Sequence, residues 1–131
     1  MIVLDTSYLI SIARGDSYLQ DRIDVLGEED VFLTAISHFE IFRSGAKMGM
    51  KENNFFSNLF STYEILPFDK GSSMIASLIQ EKLDRLGQKV NVLDVMIAGI
   101  CLGNGISKIA TKDKDFGIIA KVEHLEIVNS I

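Results

Sequence analysis

Short aliphatic runs alternate with longer stretches of helical periodicity along this chain, and that alternation limits the folds open to it. Ile2–Leu4, Val31–Thr34, Ile65–Phe68, Ile109–Thr111 and Leu125–Val128 read as strands. Between them, Tyr8–Ala13 and Tyr18–Leu26 read as short helices, and Ile36–Met48, Asn54–Thr62, Ser72–Leu86 and Val92–Leu102 as further ones. Ile36, Phe39, Phe42 and Ala46 share one stripe of the Ile36–Met48 helix. Ile75, Leu78, Ile79, Leu83 and Leu86 share another, with Gly87 as its stop. Asp5-Thr6-Ser7 and Asn91 stand where helices need caps. Strands separated by helices make a parallel sheet covered on both faces. The expected architecture is therefore an α/β three-layer sandwich in which helices outnumber strands. In such sheets, ligands bind beyond the carboxyl ends of the strands. That edge is where chemistry belongs.

A chain of 131 residues has the length of one domain. Surface scaling gives roughly 6,900 Å² folded against about 21,000 Å² extended, enough burial for one sizeable core. With 47% apolar and 24% charged residues, a disordered tail is excluded. The net charge of −5 argues against a partner held mainly by a basic surface, nucleic acid included. Cys101 is the only cysteine, so no intrachain disulfide forms. The first residues lack a basic leader. No apolar run approaches the ~20 residues of a membrane span, Val95–Leu102 being the longest. The expectation is a soluble, cytoplasmic protein without a membrane partner.

Some acids stand in apolar company. Asp5 directly follows Ile2-Val3-Leu4. It can cap the next helix, worth about 1 kcal/mol, and a site role is compatible with that. Asp94 is the only charge on the Val92–Leu102 helix, and its one-turn neighbours Ile97 and Ala98 cannot pair with it. A first-turn acid gains about 0.3–1 kcal/mol from the helix dipole. Burying an unpaired carboxylate costs several times that. A cation or other partner is needed. Glu40 flanks the Ile36/Phe39/Phe42 stripe, and an i, i+3 pair with Arg43, worth roughly 0.2–0.5 kcal/mol, is its local alternative. Asp113 and Asp115 lie in Thr111-Lys112-Asp113-Lys114-Asp115-Phe116. Such a loop can be merely solvated, yet by the strand-end rule it opens onto the same edge as Asp5.

Converging carboxylates without His or Cys are hard oxygen ligands, suited to Mg²⁺ or Mn²⁺ and not to Zn²⁺. Left empty they repel one another, so metal or protons must occupy them. One or two divalent ions held in this way are the machinery of phosphodiester hydrolysis, activating water and stabilising the attacking and leaving oxygens.

The sequence resembles PIN-domain proteins, and most of all the VapC-type toxins of type II toxin–antitoxin systems. The resemblance runs from Val3 to Phe116. It is carried by Ile2-Val3-Leu4-Asp5-Thr6-Ser7, by Glu40, by Leu86-Gly87 with Asp94 seven residues on and Ile97-Ala98 behind it, and by Ala110–Phe116. It implies one PIN domain over residues 1–131, a three-layer sandwich with a four- or five-stranded parallel sheet. It further implies a metal-dependent endoribonuclease. Asp5, Glu40, Asp94 and Asp113 would be the acidic quartet, with Asp115 competing for the fourth place. Asp5 and Asp94 would hold one or two Mg²⁺ or Mn²⁺ ions, with Asp113 contributing directly or through water, and Glu40, also among the metal residues, would orient or deprotonate the attacking water. Thr6, Ser7 and Thr111 would support them. An antitoxin and a second copy of the chain are the implied protein partners. Gly99 departs from the alanine more usual in the family and is expected to loosen its helix.

Other residues have plainer readings. His38 and His124 read as surface or interface, and Cys101 as core. Phe55, Phe56, Leu59 and Phe60 read as core, or, with Met48 and Met50, as a groove for a partner helix. Arg14, Arg43, Lys112 and Lys114 are weak candidates for phosphate contacts. A receiver-like module, suggested by Asp69 and Thr111, lacks the second acid beside Asp5. Likewise, a haloacid-type phosphatase needs an acid where Ser7 stands. A PIN-domain nuclease or RNA-binding protein outside a toxin pair remains open. Without Asp5, Glu40, Asp94, Asp113 and Asp115, the 18 acids fall to 13, matching the 13 bases. The negative charge thus belongs to the proposed site, and the metal-free protein should bind RNA poorly.

Overall fold

Five strands, β1 (Ile2–Leu4), β2 (Val31–Thr34), β3 (Glu64–Leu66), β4 (Lys108–Ala110) and β5 (Glu126–Val128), pair in the order β3-β2-β1-β4-β5, every pairing parallel. The computed structural model describes residues 1–15, 29–43 and 47–128, so the helix expected at Tyr18–Leu26 lies outside the described residues. Six helices lie within them: α1 (Thr6–Arg14), α2 (Ala35–Phe42), α3 (Met50–Thr62), α4 (Lys70–Arg85), α5 (Val92–Gly103) and α6 (Asp115–Ile119). Among the described residues no helix is long and apolar enough to cross a membrane.

The first strand is central, and each of its residues is buried. Val3 stands beside Phe32 of β2 and Ile109 of β4. Because strand side chains alternate faces, β1 feeds two cores. Val3 joins Ile79 and Leu83 of α4, Ile97 and Ile100 of α5, and Phe116 of α6. On the opposite face Ile2 and Leu4 join Leu9 of α1, Ile41 of α2 and Leu59 of α3. Helices on both faces of a five-stranded parallel sheet are the three layers the alternation predicts.

Some boundaries move. Pro67 cannot donate to the ladder, so β3 closes at Leu66 and does not reach Phe68. α3 begins at Met50, ahead of the expected Asn54, and α4 begins at Lys70 because Asp69 caps it, accepting from the Ser72 backbone N–H at 2.8 Å. α6 is a five-residue helix, too short to show a period. The expected stripe of the second described helix is incorrect: Phe39 is 54% exposed, while Ile36, Ser37 and Ile41 are buried. α2 is thus turned so that Glu40 lies toward the sheet edge. On α4, Ile79 and Leu83 are buried, whereas Leu78 and Leu86 are exposed.

α4 and α5 pack with unusual closeness. A Cβ added at Gly99 would lie 2.6 Å from the Ser72 carbonyl oxygen and 2.8 Å from Ala76 Cβ. Glycine at this position lets two backbones approach. It does not loosen the helix, which runs unbroken from Val92 to Gly103. At the far end of α4, Gly87 adopts φ +66°, the left-handed stop that its sequence position predicts.

Candidate metal centre

β1 and β4 are neighbours in the sheet, and their carboxyl ends deliver Asp5 and Thr111 side by side. Asp5 caps α1 as expected, and much more converges on it. Its Oδ2 accepts from the Ser7 backbone N–H at 3.3 Å, from Ser7 Oγ at 2.6 Å and from Thr111 Oγ1 at 2.8 Å. Its Oδ1 is buried with no hydrogen-bond partner among the described residues. Burial pushes the Asp5 pKa up, against the opposing pull of the Ser7 and Thr111 hydroxyls.

Asp94 enters from the first turn of α5, whose start is fixed by Asn91 Oδ1 accepting from the Leu93 backbone N–H at 3.0 Å. It is 4% exposed, and its Oδ2 is a second buried oxygen without a partner among the described residues. Desolvation is the largest cause pushing its pKa up to about 9, followed by a hydrogen bond with Asp113 and the charges of Asp5, Asp113 and Glu40. This acid keeps a proton at neutral pH unless a cation takes the proton's place. Half-buried Glu40 accepts from Thr6 Oγ1 at 2.8 Å. Desolvation raises its pKa, opposed by the Thr6 bond and the Arg43 charge and assisted by Asp5 and Asp113.

The loop after β4 brings the remaining acids. Carboxylate oxygens of Asp94, Asp113 and Asp115 lie within 4.8 Å of one another. Thr111 Oγ1 accepts from the Asp113 backbone N–H at 3.0 Å, and Asp113 Oδ1 from that of Asp115 at 2.9 Å. Asp115 Oδ2 accepts from the Asn91 backbone N–H at 3.0 Å, tying the loop to the helix that carries Asp94. The charge of Asp113 acts on both Glu40 and Asp94. Among the described residues Asp94, Asp113 and Asp115 form the group, with Asp5 and Glu40 outside it, and Asp115 also holds its loop in place.

Donor chemistry and the two orphaned oxygens fit a hard divalent cation. Every candidate ligand is a carboxylate, and Asp5 Oδ1 and Asp94 Oδ2 lack partners that burial ordinarily demands. Thr6, Ser7 and Thr111, expected as supporting hydroxyls, all hydrogen-bond these acids. Ser37, not singled out from the sequence, adjoins these groups through Thr6. Buried, it contacts Thr6 Oγ1 at 2.8 Å, and its only signal was the spacing Thr34, Ser37, Glu40 along one helix stripe.

Basic residues are less uniformly placed. Arg43 makes no ion pair with Glu40 among the described residues; its guanidinium lies over the Phe39 ring, 5.4 Å from the centroid. Lys112 and Lys114 are exposed in the acid-bearing loop, and the Lys112 backbone N–H donates to Ser7 Oγ at 2.9 Å. Arg14 lines a groove of about 250 Å³ between α1, α2 and α3, together with Ile10, Ala13, Glu40, Met48 and Phe56. Phe56, Leu59 and Phe60 are core, as expected, and Phe56 serves the groove as well. His38 is exposed and packs on Phe42 and Phe60, with ring centroids 4.6 and 4.9 Å away. Cys101 is fully buried, and desolvation pushes its thiol pKa up, so it stays inert.

The fold has close counterparts among solved structures. VapBC2 from Rickettsia felis, bound to a DNA fragment from its promoter, matches over 100% of both chains with a TM-score of 0.82 at 20% identity. FitAcB from Neisseria gonorrhoeae matches over 98% of this chain and 97% of that one, with a TM-score of 0.76 at 26% identity. VapC20 from Mycobacterium tuberculosis, described as a sarcin–ricin loop cleaving toxin, matches over 90% and 94%, with a TM-score of 0.66 at 14% identity. No curated protein sequence matches the chain. The family model for the PIN domain matches residues 2–122. That span runs from the central strand past α6 and takes in every acid of the cluster, and the chain belongs to the PIN-domain family.

Proposed function

We propose that this protein is a Mg²⁺- or Mn²⁺-dependent endoribonuclease and the toxin of a VapBC-type pair. The observation that carries the reading is the pair of buried, unpartnered carboxylate oxygens, Asp5 Oδ1 and Asp94 Oδ2, on acids whose charges act on each other. Asp5, Asp94 and Asp113 would hold the metal, with Asp115 beside them. When bound, a divalent ion supplies positive charge at the scissile phosphate and lowers the pKa of water. Glu40 orients the attacking water and receives its proton, with Thr6 fixing the carboxylate from behind. Ser7 and Thr111 hold Asp5 Oδ2, leaving Oδ1 for the cation. Lys112 and Lys114 stand where they can meet the RNA backbone. The outcome expected is Mn²⁺-dependent cleavage of RNA by the purified protein and none by Asp94→Asn. Equal cleavage by both would refute the assignment.

The toxin reading rests on likeness to VapBC complexes, which include VapBC from Salmonella typhimurium bound to DNA (TM-score 0.80, 22% identity). The groove beside Glu40, floored by Met48 and Phe56, suits an amphipathic antitoxin segment. Expression alone should arrest growth, and the antitoxin encoded beside it should relieve the arrest. Unimpaired growth with abundant active protein would favour a nuclease outside such a pair.

A further inference from the structure

Thr34, Ser37 and Glu40 follow one another at i, i+3 and i+6, so α2 presents a polar stripe where an amphipathic helix would bury an apolar one. Thr34 and Ser37 are both fully buried. Helix capping accounts for Thr34, whose Oγ1 accepts from the Ser37 backbone N–H at 3.1 Å. It does not account for the Ser37 hydroxyl, since alanine would leave that backbone bond intact. A buried hydroxyl is costly unless hydrogen-bonded. Ser37 Oγ makes its close contact with Thr6 Oγ1, 2.8 Å away, and a longer one of 3.4 Å with Thr34 Oγ1. Thr6 Oγ1 is in turn 2.8 Å from Glu40 Oε1. The threonine hydroxyl is therefore held between Ser37 and Glu40.

We propose that Ser37 is a positioning residue, which through Thr6 fixes the orientation of Glu40 toward the acidic cluster; this rests on the nuclease reading above. A glutamate side chain has several rotatable bonds and needs an anchor to present one oxygen reproducibly. β-Branched Thr6 is stiff at χ1 and sits directly after Asp5. Ser37 thus couples α2 to Thr6, the first residue of α1, which follows Asp5 and bonds Glu40. Its hydroxyl serves geometry at the site and not the stability of the helix.

The test is kinetic and structural, with Mn²⁺ and a short RNA as probes. Ser37→Ala should lower kcat about tenfold and leave KM within about twofold, since only orientation is lost. Ser37→Cys keeps the volume with a weak donor and should show the same loss, which covers failure of the alanine variant to fold. In a Thr6→Val background, Ser37→Ala should have no further effect. Multiplying effects, or a rise in KM alone, would overturn the proposal. Crystal structures of metal-free Ser37→Ala should show Glu40 displaced from Thr6; an unmoved Glu40 would also overturn it. If the unmodified protein cleaves no RNA, the nuclease reading falls, and those crystal structures still decide the positioning role.

Discussion

At Asp94, an ordinary pKa of 3.8 is pushed up to about 9. Between those values the folded, metal-free protein keeps a proton that the unfolded chain has released. Stability from this group is therefore greatest below about pH 4 and declines as pH rises toward 9. Asp5 and Glu40 are raised as well and act with the same sign. Glu29 opposes them at the acid end: its bonds to Lys108 and the Met1 ammonium hold its pKa at about 2. Thermal unfolding in EDTA should show a melting temperature that falls from pH 5 to pH 8.5, with Mn²⁺ restoring most at high pH. A profile flat in both conditions would count against a metal site built on Asp94. Asp94→Asn removes the titrating group. It should raise the metal-free melting temperature at pH 8 by a few degrees while lowering RNA cleavage more than about a hundredfold. Loss of both stability and activity would mark Asp94 as structural.

Helix α5 carries Asp94 and packs closely on α4 at Gly99, so its placement against α4 sets the position of Asp94. Gly99→Ala places a methyl 2.6 Å from a backbone oxygen, which cannot rotate away. The expected destabilisation is about 1–3 kcal/mol, read as a lower denaturation midpoint at unchanged slope. An unchanged midpoint would mean that α4 yields freely. This contact also shows what a sequence read alone leaves hidden. The extent and N-cap of α5 were legible because Asn91 and the apolar run are local signals. That Gly99 faces Ser72 and Ala76 is tertiary information, so its local reading as a loosened helix failed. The turn of α2 failed for the same reason. Phe39 and Phe42 suggested an apolar face, yet the core took Ile36 and Ile41 and left Ser37 and Glu40 together. Asp5 and Asp94 were legible as acids in apolar company, Glu40 as an acid flanking an apolar stripe, and Asp113 only by its place after a strand. Ser37 was not, since a serine on a helix carries no charge to betray its burial.

Across the whole molecule, the candidate acids Asp5, Glu40, Asp94, Asp113 and Asp115 equal in number the net charge of −5, so on the proposed reading metal governs contact with RNA. With a non-hydrolysable RNA analogue, affinity in EDTA should be at least about tenfold weaker than in Mn²⁺ at the same ionic strength. Equal affinities would place RNA away from the acidic edge. The sheet order has a further consequence. The centre of the sheet is β1, and Thr111 reaches Asp5 across 106 residues of sequence. Asp5 and Glu40 precede Asp94 and Asp113 in sequence, with α3, β3 and α4 lying between Glu40 and Asp94. A fragment cut before β4 keeps Asp94 but lacks Asp113, Asp115 and the neighbour strand whose following residue, Thr111, holds Asp5. The acidic edge is therefore completed only when β4 pairs with β1, which makes it a product of the assembled sheet and not of any local segment.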